Sequence, residues 1–235
     1  MKIGISPVIP SRVNLPGQQA RGGGAFEYTA IDNSFSMDFD GSTTWVQNND
    51  NIFNGFNDFS ISMWINADTA PQLYDGILTY RVYSGNYQPS LLWTFNPSLV
   101  FSFASSTSSF SITASSLSRT SIVTGSWYHL TISGENGQAL KLYINGVEDT
   151  AASTSGTVGT MSQTNSLIIG ADIYQLNTPT RVFDGKIDEV AIWNTALSEE
   201  TIQAIYDATA NNPGKVADLS QTPEGTPVAW YRMGD

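Results

Sequence analysis

Apolar residues recur at every second position through most of the chain, which is the periodicity of half-buried β-strands. FSMDFDG alternates and stops at Asp40-Gly41. FSISMWINA places Phe59, Ile61, Met63 and Ile65 on one face, and SWYHLTISGENG does the same with Tyr128, Leu130 and Ile132. ALKLYINGVEDT carries Leu140, Leu142 and Ile144 into Asn145-Gly146, a pair that tolerates positive φ and marks a tight hairpin. GILTYRVY, SLLWTF, SLVFSFA, FSITA and SLIIGAD add short strands, broken by Ser84-Gly85-Asn86, Asn96-Pro97 and a serine cluster. Arg181 to Asn194 also alternates, with Ile187, Ala191 and Trp193 on one face and Val190 and Ile192 on the other, so something must pack on both sides.

The period then changes. Ser198 reads as a helix N-cap with Glu199 and Glu200 in the first turn, at the positive end of the helix dipole. Leu197 and Ile202 form a hydrophobic staple, and Ile202, Ile205 and Tyr206 make a stripe at helical spacing. This short helix is expected to be a lid over the end of the fold. PVAWYRM supplies a last strand near 227–233. About a dozen strands and one helix predict an all-β fold of two antiparallel sheets packed face to face. Residues 26–235 read as one domain, and residues 1–25, rich in Pro and Gly with no face to bury, as an extended arm. SLLWTFNPSLVFSFASSTSSFSITA puts apolar groups on both faces of consecutive strands, which predicts either a partner site or a cover of long loops.

Composition narrows the chemistry. A formal charge of −11 opposes binding to phosphate backbones or anionic lipid, so nucleic acid is not expected as a partner. No apolar run reaches the ~20 residues needed to span a bilayer, and Pro7, Pro10 and Pro16 interrupt the opening segment before a signal-peptide core could form. There is no cysteine, hence no disulfide or thiolate metal site. Only 13% of residues are charged, about half the usual share, and between Asp75 and Glu135 solubility rests on Ser, Thr and Asn.

SMDFDGSTTWV, FSISMWINA, SWYHLTISGENGQALKLYINGVEDT, SLIIGAD and FDGKIDEVAIWNTALSEETIQAIYD, in this order over residues 34–208, resemble laminin-G-like and pentraxin-like domains of the concanavalin A-like jelly-roll superfamily. The resemblance implies a jelly-roll sandwich, and a family whose members range from lectins and adhesive modules to hydrolases and virion proteins. Related glucanases cleave glycosides with two carboxylates on one strand face. Here Glu148-Asp149, Asp188-Glu189 and Glu199-Glu200 are read as pointing to opposite strand faces or lying on a turn or helix, and the one histidine, His129, matches a structural position of the family. Enzyme activity is therefore not expected. The resemblance further implies a structural calcium held by Asp188, which matches a ligand position, with Asp40 beside it if the first and last long strands are neighbours. The other reading is that Asp188 caps backbone amides and Asp40 closes an Asx-turn. Glycans are expected at loop tyrosines with polar neighbours, Tyr83, Tyr87 and Tyr174, a setting equally suited to a protein interface.

GGGAFEYTAIDNSFSMDFDG and AWYRMGD are also similar to laminin-G-like proteins of bacteriophages, particularly marine ones. That likeness implies a non-enzymatic virion component, made in the host cytoplasm and displayed as capsid decoration or part of a tail or fibre. Its arm would attach it to other virion proteins or to further copies of itself, and its outer surface would meet cell-surface glycans. The alternatives are a lectin-like module of a larger secreted protein and, more remotely, a glycoside hydrolase.

Overall fold

The computed structural model describes residues 3–5, 27–81, 90–96, 98–104, 109–162, 166–175 and 178–233. In chain order the first strands are β1 (Ile3–Ile5), β2 (Ala30–Asp32), β3 (Phe35–Asp40), β4 (Val46–Asn48), β5 (Phe59–Ala67), β6 (Gly76–Arg81) and β7 (Ser90–Asn96). They continue with β8 (Ser98–Ala104), β9 (Ser109–Ser118), β10 (Trp127–Gly134), β11 (Lys141–Ile144), β12 (Val147–Glu148) and β13 (Ser153–Ser155). The last are β14 (Leu167–Ile169), β15 (Asp172–Gln175), β16 (Thr178–Thr180), β17 (Asp184–Trp193), helix α1 (Glu199–Ala210), β18 (Lys215–Ala217), a short 3-10 turn at Leu219–Gln221 and β19 (Ala229–Tyr231).

Two antiparallel sheets dominate. One runs β1-β3-β17-β5-β10-β11-β12 with β19 also on β17, and the other runs β13-β9-β8-β7-β6-β14-β4. Their facing sides share one core, with Phe39, Phe59, Ile61, Met63, Ile65, Tyr128, Leu130 and Ile132 from the first sheet and Trp93, Phe95, Leu99, Phe101, Phe103 and Ile112 from the second. The alternation expected for β5 and β10 supplies this inner face. Gly170, just past β14, has φ +83°, and a Cβ there would collide with the Phe39 ring. Gly170→Ala should therefore cost roughly 2 kcal/mol in urea unfolding, from backbone strain and core overpacking together.

Both faces of β5 and β10 are nonetheless buried, because the outer side of the first sheet is roofed. Helix α1 lies on that outer face, where Ile202, Ile205 and Leu219 pack on Trp193, Ala191 and Tyr143, and Tyr206 packs on Trp64 and Trp127. The helix thus covers a sheet face rather than the end of the sandwich. Its start is capped as expected, with Ser198 Oγ accepting from the Thr201 amide at 3.2 Å.

Strands β8 and β9 of the second sheet depart from the expectation of two apolar faces. Along β8 and β9, Leu99, Phe101, Phe103, Phe110 and Ile112 point inward, while Ser98, Val100, Ser102, Ala104, Ser109, Ser111 and Thr113 occupy the other side. Its outward positions in these two strands are therefore hydroxyl-rich and offer no broad apolar patch. Of residues 1–25 only Ile3–Ile5 are described, as an edge strand on β3. The AWY segment pairs with β17 within the same sheet. Among the described residues no helix is long and apolar enough to cross a membrane.

Candidate functional site: a carboxylate-rimmed groove beside the helix

Tyr83 and Tyr87 lie outside the described residues, and Tyr174 is described only as a backbone position of β15. The two aspartates expected to meet on a metal are both described. Their strands are neighbours, since β3 pairs with β17, but the register sets Asp40 opposite Asp184. Asp188 is four positions further along, roughly 13 Å at strand rise, whereas two ligands of one calcium must each approach within about 2.5 Å of the ion. Each carboxylate is also engaged locally. Asp40 Oδ1 accepts from the amides of Ser42, Thr43 and Thr44 at 2.9, 2.6 and 3.0 Å, and its Oδ2 accepts from the Thr43 hydroxyl at 2.6 Å. The Thr43 hydroxyl, followed by these amides, holds the Asp40 carboxyl well below the usual carboxylate range. The pair does not fit a single calcium site. Among the described residues no group of three or more His, Asp or Glu side chains is gathered to hold a metal ion.

The Asp188-Glu189 pair also differs from its reading as a plain alternating strand. Glu189 has φ +51°, and the β17–β5 register shifts between Asp188 and Ala191, the signature of a β-bulge. Inward-facing parity flips there, so that Ile187, Val190 and Ile192 all enter the core while Ala191 and Trp193 lie under the helix. Both carboxylates consequently reach the same side. Asn33 Nδ2 donates to Asp188 Oδ2 at 2.9 Å and stands 3.5 Å from Glu189 Oε1. Trp230 Nε1 donates to Glu189 Oε2 at 2.6 Å, and Arg232 Nε lies 3.4 Å from Oε1. This polar cluster fills the gap on one edge of β17 between β3, which pairs with Asp184–Ile187, and β19, which pairs with Val190–Ile192.

Beneath the helix, His129 is 1% exposed and its Nε2 lies 2.7 Å from Ser62 Oγ. That distance suits a nucleophile and base, but Nδ1 has no hydrogen-bond partner and therefore no orienting acid. The space beside the pair is about 10 Å³, walled by Ile205, Thr209 and Leu219, room for about one water and no substrate. Burial holds the His129 imidazole down at about 3. The pair is a buried structural contact, as expected for this histidine.

A groove of about 700 Å³ lies beside the N-terminus of α1, between the edges of the two sheets. Leu140, Leu142 and Ala152 give it apolar floor, Gln138 and Lys141 polar contacts, and Glu135, Glu148, Asp149, Glu199 and Glu224 an acidic rim. Two rim carboxylates are fastened in place. Asp149 accepts from the amides of Ser115 and Ser116 at 2.7 and 3.2 Å and from both hydroxyls. Glu224 Oε1 accepts from the Ser198 amide at 3.0 Å and from the Thr201 hydroxyl at 2.8 Å. Burial pushes the Glu224 carboxyl up, but these bonds outweigh it and leave the group below its ordinary range. The negative field is felt by Tyr143, whose phenol is raised first by burial and then by Glu148, Glu199 and Glu200. Sequence spacing could not disclose this groove, because its lining runs from Ile112 to Glu224, segments more than a hundred positions apart; the Asn145-Gly146 hairpin and the Ser198 cap were its only legible parts.

None of the curated proteins matches the chain. Among solved structures it is similar to a provisionally assigned carbohydrate binding protein from Bacteroides ovatus, with 17% identity and a TM-score of 0.59, covering 89% of this chain and 53% of that one. It is similar to domain 4 of AbnA, a GH43 extracellular arabinanase from Geobacillus stearothermophilus solved with arabinotriose, with 21% identity, a TM-score of 0.54 and coverage of 86% and 87%. A third likeness is to the heptameric SAP-like pentraxin of Limulus polyphemus, with 15% identity, a TM-score of 0.51 and coverage of 82% and 89%. At these identities the likeness establishes the fold. A laminin-G family model matches residues 40–203, most of the sandwich and the start of its helix, and the chain therefore belongs to the concanavalin A-like lectin/glucanases superfamily.

Proposed function

We propose that this chain is a lectin-like module that binds carbohydrate in the groove beside α1 without cleaving it. The observation that carries the reading is the groove itself. Its volume suits a short oligosaccharide, its floor offers apolar carbons to sugar rings, and its fixed carboxylates and Gln138 present acceptors and donors for hydroxyls. The family, the carbohydrate-binding description of the Bacteroides structure and the arabinotriose complex of the AbnA domain support it. A non-catalytic role is supported by the sealed Ser62-His129 pair and by the engagement of Asp149 and Glu224 with protein donors. A glycan array on the purified chain is expected to give hits, and Glu148→Ala with Glu199→Ala to weaken the best of them about tenfold, the value of one hydrogen bond to a charged group. A blank array, or affinity unchanged in the folded double variant, would remove the groove from consideration.

The setting that accords best with the remaining features is the surface of a virion, with the module as capsid decoration or part of a tail or fibre and residues 1–25 attaching it. The cysteine-free chain, the hydroxyl-rich outer positions of β8 and β9 and the Pro/Gly-rich arm support this reading. Deleting residues 1–25 is expected to abolish incorporation into particles while leaving the melting curve and glycan binding intact. Normal incorporation of the truncated chain would instead favour a module of a larger secreted protein, a reading supported by the 53% coverage of the Bacteroides protein.

A further inference from the structure

The structure assigns the outer edge of β3 as a docking edge for β1 of a second copy of this chain, so that copies join by exchanging their first strands. This inference is independent of what the groove binds. Strand β1 lies antiparallel on β3 with Ile3 opposite Met37, Gly4 opposite Ser36 and Ile5 opposite Phe35. The other edge of β3 is held by β17 through Asp184–Ile187. The sandwich is therefore complete without β1, and withdrawing β1 would leave an unpaired row of β3 amides and carbonyls, the standard template for a strand from another chain.

The connection favours exchange. Twenty-four residues, 6–29, separate β1 from β2. Fully extended they reach about 80 Å, well beyond the roughly 45 Å width expected of a domain of this length. A strand delivered from a neighbour makes the same three residue pairs as a strand from its own body, so backbone pairing does not discriminate between the two. What discriminates is local concentration. A connection of this length holds its own strand near β3 at an effective concentration of millimolar order, so copies crowded to that level or above exchange.

Charge adds a reason for the arm to lie between bodies. Lys2, Arg12 and Arg21 are the only charged side chains in residues 1–26, whereas residues 27–235 hold the other seven Lys and Arg and all 21 Asp and Glu. A cationic arm crossing from one acidic body to the next offsets the repulsion between them.

The absence of cysteine makes the test direct. Two single variants, Gly4→Cys and Ser36→Cys, are unfolded, mixed, refolded together at about 1 mM and oxidised, with one carrying a mass tag. Neither can close a disulfide within its own chain, and Ser36 is fully buried in the first sheet, so a Gly4-to-Ser36 heterodimer forms only if β1 of one copy lies on β3 of another. The same mixture at about 1 μM is expected to yield at least tenfold less heterodimer. The double variant, refolded at about 1 μM, is expected to close the bond within one chain, which reports that β1 seats on β3 at all. Absence of the heterodimer at 1 mM while the double variant closes internally would overturn exchange. Failure of both to link would overturn the docking edge itself.

Discussion

Acidification from pH 7.5 to 3.5 is expected to remove about 4 kcal/mol of stability through His129 alone, at about 1.4 kcal/mol per unit of pKa difference traversed. The cause is the ring's position under α1, between Trp64 and Tyr206 at centroid distances of 4.9 and 6.1 Å, where burial lowers its pKa to about 3 against an ordinary 6.5. Above pH 6.5 both the folded and the unfolded chain carry a neutral ring and nothing is lost. Below it the unfolded chain binds a proton that the folded chain refuses until about pH 3, so stability falls across that window. Asp40 and Glu224, whose folded carboxyls are held low, add to the acid loss, while Asp75, raised first by burial, opposes it. The His129 share is isolated by comparing urea unfolding of the parent and His129→Gln at several pH values. The variant starts less stable at pH 7.5, because its packing is poorer, but its decline between pH 6.5 and 3.5 should be shallower by about 1.4 kcal/mol per pH unit. Parallel curves would mean that the ring is protonated in the folded state and that the roof over it opens.

Replacing Glu189 by alanine should cost about 4 kcal/mol and release the C-terminal strand, since breaking one side of a buried charged network typically costs 3–5 kcal/mol. Glu189 is 4% exposed and is the shared acceptor for Trp230 Nε1 and Arg232, the two side chains that flank Tyr231 at the end of β19. Without it the indole N–H and the guanidinium lose that acceptor, and the edge of β17 beyond the bulge loses part of what holds β19. Glu189→Gln keeps an acceptor for Trp230 but not the charge, and should recover about half of the loss. The readouts are the urea midpoint and the rate of proteolytic trimming after residue 225, which the alanine variant should raise. A cost under about 1 kcal/mol with unchanged trimming would show that β19 is held by its backbone pairing to Val190–Ile192 and not by this junction.

Both predictions concern the outer face of the first sheet, where sequence reading was least complete. Alternation in β5 and β10 correctly identified which residues fill the sandwich core, because the side-chain period of a strand is two and an inner face must be apolar. The capped helix and the Asn145-Gly146 turn were legible for the same reason: capping and tight-turn geometry depend on a few adjacent residues. The reading of Ile187 with Ala191 and Trp193 failed at Glu189, since one extra residue in a strand reverses the facing of everything after it and no local signal marks a bulge at a glutamate. The same bulge brought Asp188 and Glu189 to one side when simple alternation would have parted them.

Local patterns along the chain were enough for the class of fold, the inner faces of β5 and β10, the buried character of His129 and the position of the terminal helix. Each of these depends on period, capping or turn chemistry within a dozen residues. Long-range packing was needed to set the helix on a sheet face, to hold Asp40 and Asp188 four strand positions apart, and to form a groove where Gln138, Glu148, Asp149, Glu199 and Glu224 converge. Strand order and register join segments far apart in the chain, and the free energy that selects them comes from the packing of whole faces rather than from any local run of residues.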